Sequence, residues 1–217
     1  CIRDSYDTSV AVITNVDPDH LDHYGSLEAF QAEFANFANA AKQLVAISAD
    51  DAGAVAVMKL LKHSNVITFG ELPEADVLLS NIDASGPRVK FSVSYKRQST
   101  NMELTIPGAH NAHNAASALA CLVGLGFEFE STARAIETFG GTERRFELHG
   151  EVRGVKVFDD FAHHPTEVIA ALKAARAVVG SGKLITVFQP HLFSRTRLFA
   201  QELSLIHISE PTRLRRI

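Results

Sequence analysis

Of the 217 residues, 46% are apolar and 21% charged, the balance of an ordinary soluble globular chain with room for one large domain or two small ones. The formal charge of -4 argues against nucleic-acid binding, which needs a basic face, and no apolar run approaches the roughly 18 residues that suggest a membrane helix. Two cysteines, Cys1 and Cys121, make no disulfide framework, so a reducing, cytosolic setting is the default.

No signal peptide is visible, and the chain opens mid-pattern without an initiator Met, so an N-terminal portion is expected to be missing. Val10 to Asn15 is a short apolar run of the kind found in buried parallel strands. After the turn "VDPDH", the segment from Ser26 predicts a helix: Leu27, Phe30, Phe34, Phe37 and Ala41 fall on one face, and Ser26 suits its N-cap. "LVAIS" reads as a strand, "DAGAVAVMKLLK" as a helix and "NVITFG" as a strand, an alternation that predicts a parallel α/β sheet. From Val77 the character changes, and "VKFSVSY" and "NMELTIP" predict an antiparallel hairpin. "NAHNAASALACLVGLG" predicts a helix closing at Gly124 or Gly126, and "STARAIETF" a second, short one. The paired glycines and arginines of "GGTERRF" mark a domain boundary. Beyond it, a hairpin turning at Arg153-Gly154 precedes a helix that starts at Pro165, with Glu167 near the positive end of its dipole. "KLITVFQP" predicts a buried strand and "SRTRLFAQEL" another helix. In the last stretch, "LIHISEPTRLRRI", the helical pattern stops, and a foreign tail is the preferred reading.

Several pieces carry chemistry. "TNVDPDHLDHYG" packs Asp17, Asp19, His20, Asp22 and His23 beyond a strand, where open α/β sheets gather ligands. Its carboxylates suit a magnesium ion at a phosphate, or simply cap a helix-entry loop. Asn111 and Asn114 are three apart on one helix face, and an amide's paired donor and acceptor suit an adenine edge. N-capping by Asn111 competes with that reading. Arg144 and Arg145 could clamp phosphates at the boundary or stand solvated. "FDDFAHHPTEV" offers a metal site, an acid/base centre or a cleft rim. "FQPHLFSRTR" leaves a strand with His191 and Arg195, the latter able to fork onto a carboxylate. The chain holds neither a "GxxxxGK[ST]" phosphate loop nor a "GxSxG" elbow.

Taken in order, "TNVDPDHLDHYG", "PGAHNAHNAAS", "GTERRFELHG", "DDFAHHPTEV" and "FQPHLFSRTR" resemble the Mur ligases of peptidoglycan synthesis, in bacterial cell-wall biogenesis, over roughly Val10 to Ser204. The last two motifs point to the alanine-adding members. The resemblance implies an α/β chain: a partial central nucleotide-binding domain over 1–143, then the first part of a Rossmann-like C-terminal domain over 144–204, with 205–217 the foreign tail. The sugar-nucleotide domain, the P-loop and a metal-binding glutamate would lie upstream of Cys1. It further implies ATP and Mg2+ as cofactors, UDP-N-acetylmuramate and L-alanine as substrates, and amide formation through an acyl phosphate in the cytoplasm. No protein nucleophile is required; positioning and charge neutralisation suffice.

By the same resemblance His20 matches the magnesium-binding histidine, and Asn111 and Asn114 the adenine asparagines. Arg145 matches the arginine at the ATP phosphates, and Asp160 the aspartate that bonds the ribose hydroxyls. His163, His191 and Arg195 match positions lining the amino-acid pocket. Leu192 stands where some alanine-adding members have arginine, and Phe161 where tyrosine is common. The nearest rival is a recycling ligase that attaches a tripeptide to the same sugar. Readings of other classes are a metal-dependent hydrolase built on the Asp17–His23 cluster and a non-catalytic nucleotide-binding module. The isolated chain, lacking a P-loop, is expected to have no ligase activity.

Overall fold

The computed structural model describes residues 7–18 and 24–209, and of Ser194, Arg195 and 205–209 the backbone alone. The chain divides into two compact units. The first comprises Cys1–Ile82, Lys90–Glu103 and Asn111–Phe139; the second comprises Asp83–Val89, Leu104–His110 and Gly140–Ile217.

A six-stranded sheet runs in the order β1 (Val10–Ile13), β2 (Leu44–Ser48), β3 (Val66–Gly70), β4 (Val77–Asp83), β5 (Val89–Tyr95), β6 (Gln98–Leu104). β1, β2 and β3 pair in parallel, with Val12 opposite Ala46 and Ile47 opposite Thr68. All five residues of β2 are buried, as expected of a strand covered on both faces. Helix α1 (Leu27–Asn39) starts where the sequence predicts, the Ser26 hydroxyl accepting from the Ala29 N–H at 3.1 Å. Its Phe30, Ala35 and Ala38 join Ile13, Val45, Ile47 and Val57 in one core. At about 25 cal/mol per Å² of buried apolar surface, that shared face is what fixes the helix on the strands.

Helix α2 (Ala52–Met58) is shorter than the predicted segment. The Asn39 side chain explains this: it accepts from the Lys62 N–H at 2.7 Å and donates to the Leu60 carbonyl, holding the next turn as a loop.

β4 is a strand that the sequence pattern did not reveal. It runs parallel to β3 after only six residues, where a full parallel crossover needs a dozen or more. The reason lies in the stagger: only Phe69–Val77 and Gly70–Leu78 are opposed, so the chain steps back very little. Asp76 secures the step by accepting from the Thr68 N–H and hydroxyl, both at 2.8 Å. β5 and β6 are the expected hairpin strands. Helix α3 (Ala109–Gly124) buries Ala112, Ala115, Ala116, Leu119, Ala120 and Val123, and α4 (Phe129–Glu137) follows, capped by Glu128.

The second unit contains the antiparallel pair β7 (Glu147–Val152) and β8 (Val155–Asp159). Arg153 and Gly154 turn it with φ of 52° and 78°, the two positive values of a type I′ connection. Helix α5 (Pro165–Val179) begins at the predicted proline. The predicted strand at 183–190 is corrected: the segment is not part of a ladder, and Ile185 and Val187 are 65% and 89% exposed. Leu184, Thr186 and Phe188 are half-buried in alternation with them, so the stretch is extended and covered on one side. Among the described residues β7 and β8 pair only with each other, and a buried strand without ladder partners would orphan its backbone N–H and C=O groups. Phe188 packs with Val168, Leu172, Phe199 and Leu203. Helices α6 (Phe193–Leu198) and α7 (Ala200–Ser209) complete the unit. α7 runs past Ser204, where the helical pattern was expected to stop; elongating a nucleated helix needs no amphipathic stripe. No helix of the described residues is long and apolar enough to cross a membrane.

Candidate functional site

In the first unit, α3 carries both predicted asparagines. Asn111 lies within the first turn rather than at the N-cap, since the helix already begins at Ala109. The Asn114 amide donates to the Asn111 side-chain oxygen at 3.3 Å, so the two amides meet on one face, with Asn114 exposed. The adjacent turn buries the other side of the helix through Ala112, Ala115 and Ala116. A rigid apolar face thus holds a polar amide edge toward solvent.

In the second unit, two loops are tied together. The first, 142–146, contains Arg144 and Phe146 in the left-handed region, with φ of 57° and 51°. The second, 160–164, joins β8 to α5. The Phe161 N–H donates to the Arg144 carbonyl at 2.9 Å. Asp160 accepts from the Phe146 N–H at 2.8 Å and from the Ala162 N–H at 2.7 Å, one carboxylate oxygen each. A carboxylate has about four acceptor positions, so Asp160 can brace both loops and still receive hydroxyls. Arg144 lies with its guanidinium 4.8 Å from the Phe161 ring centre and its Nε 3.6 Å from Asp159.

Glu167 links the remaining pieces. His164 is the N-cap of α5, its Nδ1 accepting from the Thr166 N–H, and Glu167 completes a capping box. One Glu167 oxygen accepts from the His163 N–H at 3.0 Å and the His164 N–H at 3.3 Å. The other lies 3.9 Å from Arg145 Nη1, and His163 Nδ1 is 3.6 Å from the carboxylate. Burial raises the Glu167 pKa, but the two backbone donors, with His163 and Arg145 behind them, outweigh it and hold the carboxyl below its ordinary range. His163 Nδ1 also meets the Phe161 carbonyl at 2.8 Å, and its ring stands edge-on to His191 at 6.1 Å.

Of the sequence-predicted residues, the fold therefore groups Arg145, Asp160, His163 and His191 in one unit, and Asn111 with Asn114 in the other. Arg195 lies on α6. His20 falls outside the described residues, as does most of the Asp17–His23 cluster. Sequence reasoning missed the joining role of Glu167. The signal was present as a cap-x-x-Glu spacing, disguised by histidine at the cap position where Ser or Thr is usual.

The Mur ligase middle domain matches residues 2–122, and the Mur ligase glutamate ligase domain, the C-terminal one, matches 144–208. The UDP-N-acetylmuramate–L-alanine ligase of Clavibacter michiganensis is 55% identical over 202 residues, covering 93% of this chain and 42% of the relative. The enzyme of the same name from Paenarthrobacter aurescens is 48% identical over 203 residues, covering 91% and 44%. The chain thus spans less than half the length of these relatives. Among solved structures, the UDP-N-acetylmuramate–alanine ligase of Thermotoga maritima superposes with a TM-score of 0.72 at 29% identity, covering 91% of this chain and 45% of that one. A pseudomurein peptide ligase from Methanothermus fervidus shares the fold alone, at TM-score 0.73 and 19% identity, covering 92% and 47%. With one domain match spanning more than half of its length and a second following in order, this chain belongs to the Mur ligase family.

Proposed function

We propose that this chain is part of an ATP-dependent ligase that joins L-alanine to the carboxylate of UDP-N-acetylmuramate in cytoplasmic peptidoglycan synthesis. The observation that carries the reading is the 55% identity to an enzyme of that name across nearly all of this chain. The same likeness favours L-alanine over a tripeptide, and ligation over metal-dependent hydrolysis. In this reading residues 1–143 are the later part of the central ATP-binding domain, and the C-terminal domain opens at residue 144.

ATP supplies the phosphoryl group that turns the sugar carboxylate into an acyl phosphate, and the amine of L-alanine displaces phosphate. The residues fit the nucleotide. Asn111 and Asn114 present paired amides to an adenine edge, and Asp160 keeps acceptor capacity for the ribose hydroxyls while its backbone bonds fix its direction. Arg145 supplies positive charge for the phosphates; its pairing with Glu167 at 3.9 Å is loose enough to exchange for a phosphate oxygen. His163 and His191, with Arg195 on the following helix, are assigned to the amino-acid pocket, and His20 to Mg2+. No side chain serves as a nucleophile; the protein lowers the barrier by alignment and charge.

The test is turnover by the full-length enzyme with L-alanine against the tripeptide. L-Alanine-dependent phosphate release is expected, and turnover with tripeptide alone would sink the reading. Amide formation by the 217-residue chain on its own would equally contradict it, because its sequence holds no P-loop.

A further inference from the structure

We infer that His164 is a positioning residue for the amino-acid pocket assigned above. Its ring ties the loop that carries His163 to Phe199, the residue that follows the helix carrying Arg195. The substrate in this inference rests on the proposed reaction; the contacts all lie within the second unit.

The His164 ring is engaged on both sides. On one side Nδ1 accepts from the Thr166 N–H at 3.4 Å, so this nitrogen is unprotonated and the neutral ring carries its hydrogen on Nε2. On the other side Nε2 is buried and has no hydrogen-bond partner among the described residues. A buried N–H left unmet is costly. What it meets is an aromatic ring. The centres of the His164 and Phe199 rings are 4.6 Å apart and their planes cross at 73°, an edge-to-face contact. An aromatic face is negative and an N–H edge positive, so Nε2–H directed at Phe199 is partly satisfied. This second contact accounts for histidine at a cap position where Ser, Thr, Asp or Asn is preferred, since none of those side chains combines a cap acceptor with an aromatic edge.

Both ends of the link adjoin the pocket. His163 precedes His164 directly, and the N–H groups of both donate to one Glu167 oxygen at 3.0 and 3.3 Å. Phe199 directly follows α6, and His191, whose ring lies 6.1 Å from that of His163, comes two residues before α6. Phe199 is itself held in the cluster of Val168, Leu172 and Leu203. Losing the ring contact would free the two segments to shift, and with them the spacing of His163 and His191. Asp160 would keep its own bonds from the Phe146 and Ala162 N–H groups. The link therefore governs affinity for the incoming amino acid and leaves the nucleotide contacts alone.

The test uses the full-length enzyme at saturating ATP and UDP-N-acetylmuramate. His164→Asn keeps a cap acceptor and removes the ring; Phe199→Leu keeps the cap and removes the aromatic face. Each is expected to raise the KM for L-alanine roughly fivefold, the scale of one aromatic pair, with kcat and the KM for ATP near wild type. The double variant should be no worse than either single change, since both remove one contact. Ring-nitrogen NMR of the histidine-labelled wild-type enzyme at neutral pH should show the His164 hydrogen on Nε2. A hydrogen on Nδ1, an unchanged KM for L-alanine in Phe199→Leu, additive effects in the double variant, or equal rises for L-alanine and ATP would overturn the inference while the reaction stands. Failure of the wild-type enzyme to use L-alanine would instead overturn the reaction, and the pocket assignment with it, whichever tautomer is found.

Discussion

Replacing Glu167 by alanine should loosen the start of α5 by about 1 kcal/mol. The figure follows from what the carboxylate holds. It accepts from two backbone N–H groups and supplies half of a capping box, a contribution typically near ~1 kcal/mol in a range of about 0.5–2. The side chain is 37% exposed, so water can partly satisfy the freed donors and the cost stays in the lower half. The ion pair with Arg145, between groups this open, adds well under ~1 kcal/mol. One kcal/mol is roughly a fivefold change in an opening equilibrium. Hydrogen exchange at the His163 and His164 amides should therefore accelerate about fivefold in Glu167→Ala and less in Glu167→Gln, which keeps an acceptor oxygen. Amides of the first unit should not respond. The pH dependence has a fixed sign: the Glu167 carboxyl is held below its unfolded value near ~4.3, so its contribution is complete above that pH and is lost as pH falls through the folded value. Wild type and Glu167→Gln should converge at the acid end. Equal exchange in wild type and Glu167→Ala near neutrality would refute the reasoning.

Gly53→Ala should destabilise the first unit, although alanine is favoured over glycine in a helix by about 1 kcal/mol, because the new Cβ would lie 2.1 Å from the Val16 carbonyl oxygen. Overpacking against backbone costs typically ~1–3 kcal/mol, so a raised denaturation midpoint would contradict the close approach. Cys121 should alkylate slowly at neutral pH in the native chain and rapidly in denaturant, since burial raises its thiol pKa and depletes the thiolate; equal rates in the two states would be the contrary result. Glu128 caps α4 through the Ser131 and Glu130 N–H groups, which hold its carboxyl low. That cap is intact above the unfolded carboxyl pKa and lost as pH falls through the folded one, so acid should fray α4 in wild type, while Glu128→Gln should show no such acid dependence in amide exchange.

Periodicity and punctuation were the most readable parts of the sequence. Ser26 before an apolar stripe, Arg153-Gly154 between alternating runs, and Pro165 before a helix each express local backbone preference, which needs no tertiary context. β4 escaped because its link to β3 is a stagger of two opposed pairs, a property of pairing rather than of composition. The segment 183–190 was over-read for the opposite reason: its apolar alternation fits a strand, but a ladder also needs a neighbour. At the site, single residues were legible as donors and acceptors, while their joining through Glu167 and Asp160 was not. Those bonds run between backbone amides and side chains, and backbone amides carry no sequence signature.

Arg144 and Phe146 put Arg145 between two left-handed residues, neither of them glycine or asparagine. Such positions cost of order 1–3 kcal/mol where the conformation is strained, and they persist only when surrounding bonds over-determine them. Here the over-determination comes from β8 and the loop after it, through Asp160, Phe161 and the stacking of Phe146 on Phe158 at 4.5 Å. Mutational tolerance should therefore be inverted along this stretch. At position 144 glycine or asparagine is the gentle substitution for the backbone and a β-branched residue the harsh one, whereas a change at Asp160 removes the acceptor that holds the Phe146 N–H and so lets residue 146 leave its left-handed conformation, releasing the strain from a distance.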